Sequence, residues 1–501
     1  MLNQLLLCAA FAHPHATAVV SGQKEHSYSW VVEEGARIAQ GLKVLGIGPS
    51  DRVAIWMKKS AQTVATMHAV LQLGAVYVPL DPSGPNQRAA TICASCEVSV
   101  LVHDRPPEDL LEATFSGLKT LSACNNANAD MRWDELTANP GEIQGVKRQG
   151  RDLAFILYTS GSTGTPKGVC ISHENALAFI SWAVAELDLT ADDRLANHAP
   201  FHFDLSVFDL YASFSVGAAV HIISESIAYS GHALAKFVFE QGITVWYSVP
   251  TAIVMMCDNG DFLENDKLKL HTLIFAGEVF PVKKLAAVQS AHKKLRLLNF
   301  FGPTETNVCT YYEVREDLNK RDDPIPIGAV CSGNKAWAQK EDGSVAENEG
   351  DVGELIIQGP TVMLGYWGKP PLPEGHVYAT GDLVRLLGNG QFNYLGRKDN
   401  MIKIQGFRVE LGEIEAVVER YPGVSCCSVI ATDKDGRKEL TAFLDCGKAE
   451  RPSLIQLKMH CAAALPPYMV VHRSVFLDTF PRTANGKVDR LNLVEVANQH
   501  V

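Results

Sequence analysis

A chain of 501 residues is long enough for two to four domains, each able to bury its own core. Its 47% apolar and 20% charged residues are those of an ordinary soluble globular enzyme. The formal net charge of −11 argues against a nucleic-acid or anionic-membrane partner, which demands a basic face to displace counterions. Twelve cysteines without framework spacing suit a reducing cytoplasm.

The opening MLNQLLLCAAFA has a short apolar core with no preceding lysine or arginine. It fails as a secretion signal and is expected to form the first helix. No apolar run elsewhere reaches bilayer-spanning length. From about Tyr28 to Val102, helical stretches alternate with short apolar runs. DRVAIWM (Asp51–Met57) and VSVLVHD (Val98–Asp104) read as buried strands, and SAQTVATMHAVLQLGA (Ser60–Ala75) as a helix. Cys93 and Cys96 form a C-x-x-C, but the second ligand pair of a zinc site is missing, so two half-buried thiols in a helix are expected. The alternation recurs in AAVHIIS, ITVWYSV, LHTLIFAG and LRLLNFFG between Ala218 and Gly302. It predicts an α/β architecture with parallel, helix-covered sheets.

After about Val352 the texture changes to short strands separated by glycine turns, as in GELIIQG and FNYLGRKD, which predicts a small β-rich subdomain beginning near residue 310. From about Asn400 the chain reads as a helix (LGEIEAVVERY), two strands (SCCSVIATD and ELTAFLD), another helix and a tail. That is enough for a separate α+β domain. The expected division is 1–396 and 400–501, with the boundary in the polar GRKDN at Gly396–Asn400.

The stretch YTSGSTGTPKGV (Tyr158–Val169) follows the apolar run Leu153–Leu157. Hydroxyls of Thr159, Ser160, Ser162 and Thr163, with the backbone N–H groups of Gly161 and Gly164, can wrap a polyphosphate, and Lys167 adds a point charge. A Walker loop would require G-x-x-x-x-G-K-[ST], and five residues on from Gly161 stands Pro166, which also lacks a backbone donor.

This loop resembles the signature of the adenylate-forming (ANL) enzymes, specifically the amino-acid-activating adenylation domains of nonribosomal peptide synthesis. The resemblance rests equally on LQLGAVYVPLDPSGPNQR, FDLSVFDL, NFFGPTET, GELIIQGPTVMLGYW, YATGDLVR, GRKDNMIKIQGFRVELGEIE and PRTANGKVDR, which occur in the family's order from roughly residue 25 to 490. It implies a large N-terminal domain and a small mobile C-terminal lid hinged at Asp399. The implied chemistry has two steps, adenylation of a carboxylate by ATP and transfer of the acyl group to a thiol, each needing aimed cations and donors for developing negative charge.

By this resemblance, Glu305 holds Mg²⁺, with Thr159 and Thr304 as metal-shell or phosphate hydroxyls. Asp382 accepts from the ribose hydroxyls, Arg397 reaches the ribose or α-phosphate, Phe301 stacks on adenine, and Asn299 meets its amino group. Gly277, Phe300, Gly302 and Tyr394 complete the nucleotide set. Lys487 bridges the substrate carboxylate and the α-phosphate in the first step, and Lys403 enters after domain rotation for the second. Taken alone, each of these residues has a plainer role, such as surface acid, core phenylalanine or turn lysine.

Asp204 matches the aspartate that pairs with an α-ammonium in the amino-acid branch of the family. A buried carboxylate without a cation is costly, so an amino acid is expected rather than an aryl or fatty acid. The pocket positions fall on Asp204, Leu205, Phe208, Tyr247, Ile274, Ala276, Phe300, Val308 and Cys309. With no second charge and three large rings, they leave room for a compact apolar side chain. The set resembles that of free-standing prolyl-activating enzymes, with Ile274 and Phe300 in place of the usual leucines. D-Alanine, valine and pipecolate are the nearest alternatives, because one methylene is worth only about 1–3 kcal/mol. An acyl-CoA ligase or a luciferase-like oxygenase is disfavoured by the amino-acid pocket, and a non-catalytic amino-acid-binding regulator by the intact catalytic set. Only eleven residues follow Arg490, and no serine-bearing carrier helix is found among them. The thiol is therefore expected on a discrete phosphopantetheinylated carrier protein.

Overall fold

The computed structural model describes residues 1–105, 115, 117–124, 129–137, 146, 148–161, 165–265, 267–399, 401–434, 437–447, 449–477, 479–482 and 488–499. The chain folds into two compact units. One comprises Met1–Pro82, Cys93–Leu157 and Gly168–Lys398; the other comprises Ser83–Ile92, Tyr158–Lys167 and Asp399–Val501.

The first unit is built on two large sheets. The six alternating apolar runs all become parallel strands because both of their faces are covered by helices or by neighbouring layers. In the nine-stranded sheet the order is Ala329–Val330, Thr310–Glu313, Arg296–Phe301, Thr272–Ala276, Val245–Ser248, Arg194–Asn197, Ala219–Ile222, Thr17–Ser21 and Lys24–Ser27. The six strands from Arg296–Phe301 to Thr17–Ser21 run parallel, and antiparallel strands close both edges. In the eight-stranded sheet Arg52–Trp56 lies between Val76–Pro79 and Val100–His103, parallel to both.

Helices Ala61–Gln72 and Leu205–Val216 are buried over nearly their whole circumference, which marks them as interior elements rather than amphipathic covers. One continuous core joins them to residues of both sheets, from Val53 and Phe155 to Val220 and Phe300. Local chemistry sets their ends. The Ser60 hydroxyl accepts from Thr63 N at 3.2 Å, and Gly217 takes the left-handed φ of 78° that stops the second helix. The first helix, Leu2–Ala12, packs on both. A four-stranded antiparallel sheet (Lys335–Gln339, Val352–Gln358, Val377–Leu386, Phe392–Arg397) has its own small core around Ile327, Leu355 and Val384. Cys93 and Cys96 are fully rather than half buried, and burial pushes the Cys93 thiol up to about 12.

In the second unit, strands Met401–Ile404 and Phe407–Glu410 form a hairpin leading into helix Leu411–Val418. The strands Cys426–Lys434, Arg437–Asp445 and Arg473–Phe476 form a sheet in that order. The third strand and the last helix, Arg490–Gln499, fall where the sequence suggests only a tail. Their apolar residues are few and become legible only once Leu493 and Ala497 are seen packed with Ile430 and Phe443.

Candidate active site

In the first unit the predicted residues gather where parallel strands end. Strand register places Tyr247 beside Ile274, and Ala276 beside Phe300. Phe208, one turn into helix Leu205–Val216, meets the Tyr247 ring edge-on at 5.5 Å, and Tyr247 meets Phe300 at 5.7 Å. Val308 belongs to the same buried cluster, with Leu205 partly buried against it. Cys309 packs instead in the neighbouring small core, its N–H donating to Phe301 O at 2.9 Å. Phe179 and Trp182, from helix His173–Glu186, complete the aromatic wall at 6.5 and 5.3 Å from Phe300. Neither lies in a recognised motif, and only tertiary packing brings them here.

Asp204 sits at the start of helix Leu205–Val216 and makes no side-chain capping bond to it. Burial first, then the carboxylates of Asp204 and Asp209, push the Tyr247 phenol well up, so the tyrosine stays neutral beside them.

The nucleotide set occupies the adjoining strand end. Asn299, Phe300 and Phe301 are consecutive on strand Arg296–Phe301, and the Asn299 amide donates to Pro326 O at 2.8 Å. Phe301 stands 5.7 Å from Tyr394. A side chain at Gly302 would collide with the carbonyl oxygen of Asn307, so the loop bearing Thr304 and Glu305 can close only over glycine. Gly277, at the end of strand Thr272–Ala276, has φ of +91°. Glu305 is 1% exposed and accepts from the Tyr366 hydroxyl at 2.6 Å. Asp382 and Arg397 face each other across two antiparallel strands, Nη1 to Oδ1 2.8 Å, and Nη1 also donates to Thr380 O at 3.0 Å.

In the second unit, the Thr159 hydroxyl is buried without a hydrogen-bond partner among the described residues. Ser160 Oγ donates to Arg408 O at 2.8 Å and accepts from Glu410 N at 3.1 Å. A side chain at Gly161 would strike the Thr165 carbonyl. Lys167 begins the strand Lys167–Ser172. Lys403 lies on the hairpin opposite Arg408, and Asp399 Oδ1 accepts from Met401 N at 3.2 Å. Ser162, Thr163, Gly164 and Lys487 lie outside the described residues. In the first unit, the buried carboxylate of Glu305 is an oxygen donor of the kind that suits the hard magnesium ion.

Among the described residues, no helix is long and apolar enough to cross a membrane.

The sequence profile of the AMP-binding enzymes matches residues 8–367, and that of the AMP-binding enzyme C-terminal domain matches residues 413–487. The chain is 43% identical over 494 residues to an L-proline–[L-prolyl-carrier protein] ligase of Pseudomonas fluorescens, covering 98% of both chains. It is 40% identical over 471 residues to a protein of the same name in Streptomyces coelicolor, covering 90% of this chain and 88% of that one. Its fold resembles that of an amide bond synthetase of Marinactinospora thermotolerans, with a TM-score of 0.89 at 20% identity and 99% of each chain covered. The chain therefore belongs to the AMP-binding enzyme family, whose members form adenylates at the expense of ATP.

Proposed function

We propose that this enzyme activates L-proline with ATP and transfers the prolyl group to the phosphopantetheine thiol of a discrete carrier protein. The proline carboxylate attacks the α-phosphorus, the bond to the β-phosphate oxygen breaks, and pyrophosphate leaves. The thiol sulfur then attacks the prolyl carbonyl, its proton passing to water, and AMP departs. The single observation that carries this reading is the Asp204 carboxylate acting on the phenol of Tyr247, whose ring packs against those of Phe208 and Phe300. It is supported by similarity along nearly the whole chain to two ligases named for proline and a prolyl carrier protein.

Asp204 pairs with the secondary ammonium of proline, and the rings exclude longer side chains. Asp382 accepts from both ribose hydroxyls while Arg397 holds it in place, and Phe301 stacks on adenine. Glu305 and Thr159 would hold Mg²⁺, which would offset triphosphate charge. Lys487 supplies the aimed cation of the first half-reaction, worth on the order of 10²–10³ in rate. A rotation at Asp399 brings Lys403 into use for the second. The enzyme works in the cytoplasm, where thiols stay reduced.

Proline-dependent exchange of pyrophosphate into ATP tests the substrate. Proline is expected to exceed D-alanine, valine and pipecolate, and silence with proline beside a signal from another amino acid overturns the assignment. Lys487→Ala is expected to abolish exchange yet still pass a supplied prolyl-adenylate to the carrier thiol. Equal loss of both steps refutes the two-lysine division.

A further inference from the structure

Behind the aromatic pocket lies a polar cluster that none of the assigned roles uses. Lys59, between strand Arg52–Trp56 and helix Ala61–Gln72, is half-buried as a residue, but its ammonium is enclosed by protein. Nζ donates to two successive main-chain carbonyls, Asn197 O at 2.8 Å and His198 O at 3.0 Å. It also stands 5.8 Å from the centre of the Phe201 ring. Asn197 ends its strand in register with Tyr247 of the pocket. The Asn197 amide reaches forward to Ala199 O at 3.3 Å and across to Asp209 Oδ2 at 3.0 Å. Asp209 adjoins Phe208 on helix Leu205–Val216 and is fully buried.

These contacts bracket one short segment. From Asn197 the chain runs through Phe201 and turns, with Ser206 Oγ donating to Phe203 O at 2.6 Å, to present Asp204 at the helix start. Lys59 grips the segment at its beginning and near its middle, while Asp209 holds the strand end from the helix that follows. The second oxygen of Asp209 and the Asn197 side-chain oxygen are buried without hydrogen-bond partners among the described residues. Burial pushes the Asp209 carboxyl well above the usual carboxylate range, with the Asn197 hydrogen bond and then the nearby Lys59 opposing that rise. Burial pushes the Lys59 ammonium down to about 7, with Asp209 and then Glu225 opposing that fall.

We infer that Lys59, together with Asp209, is a positioning residue for amino-acid binding: it fixes the 197–203 segment that aims the Asp204 carboxylate, without touching substrate. The inference rests on Asp204 being the ammonium partner.

Steady-state pyrophosphate exchange on Lys59→Met, Lys59→Arg, Asp209→Asn and Asp204→Asn, with melting temperatures measured alongside, decides it. For Lys59→Met the KM for proline is expected to rise at least tenfold, with the KM for ATP within twofold of wild type. Lys59→Arg, which keeps charge and donors, is expected to restore the KM for proline to within threefold. A folded Lys59→Met enzyme with unchanged KM for proline, or with both KM values raised together, overturns the inference. If Lys59→Met does not fold, Asp209→Asn, isosteric and still able to accept from Asn197, decides by the same split in KM. Asp204→Asn separates the two claims. If it raises the KM for proline and the Lys59 and Asp209 variants do not, positioning fails alone; if it changes nothing, the ammonium assignment itself has failed.

Discussion

Tyr366 donates its phenolic proton to Glu305, a carboxylate 61 positions earlier in the chain. Leaving one oxygen of a buried carboxylate without its donor costs about 1–3 kcal/mol. Tyr366→Phe is therefore expected to raise the magnesium concentration needed for half-maximal exchange by roughly tenfold, while the fold survives because the ring is retained. Magnesium-dependent ATP binding followed calorimetrically should weaken in step, and an unchanged magnesium requirement would count against the role. Asp382 and Arg397 make a complementary point: their pairing across two strands holds both side chains in place before any nucleotide arrives. Glu305, Asp382 and Arg397 stand in motifs that the sequence displays, and the roles proposed for them come from those motifs. Tyr366 stands inside a recognised motif, yet its role was not legible, because hydrogen-bond partners so far apart in sequence carry no periodicity to betray them.

At the level of elements, the phosphate loop and the hairpin Met401–Glu410 illustrate how backbone needs dictate composition. Ser160 satisfies one carbonyl and one N–H of the hairpin strand with a single hydroxyl, which only a short side chain can do. The loop after strand Arg296–Phe301 obeys a similar constraint. Asn307 takes a left-handed φ of 50°, and its carbonyl lies where a side chain at position 302 would project. Gly302→Ala must displace that loop, and with it Glu305. It is expected to lower the melting temperature and to cut pyrophosphate exchange by more than tenfold, since misplacing a catalytic group by about 1 Å costs on the order of 10²-fold. Full exchange activity in a folded Gly302→Ala enzyme would show that the loop can move freely. Glycine at this position was visible in the sequence; the carbonyl that demands it belongs to a fold-dependent turn.

Across the whole molecule, burial keeps several histidines neutral. His68, His198 and His221 are each pushed down to about 4, chiefly by desolvation. In the unfolded chain these groups titrate near 6.5. Between about pH 6.5 and 4 the unfolded state thus binds protons that the native state refuses, so stability falls as pH falls through that window. The melting temperature is expected to drop steadily from pH 7 to pH 5, and His68→Gln to flatten that slope; a slope unchanged in the variant would remove His68 from the account. Sequence alone determined the α/β class, the adenylate-forming family, the order of the motifs and several of the parallel strands of the two large sheets. These depend on local alternation, on glycine and hydroxyl spacing, and on residue identities that can be read one after another. Tertiary structure alone decided that the alternating runs divide between two large sheets and that helices Ala61–Gln72 and Leu205–Val216 are interior. It also decided which residues meet the motif residues, with Phe179 and Trp182 against Phe300, Tyr366 on Glu305, Lys59 on Asn197 and Asn197 on Asp209. Those roles arise from contacts between residues distant along the chain, and the energy of such contacts depends on burial that no local pattern records.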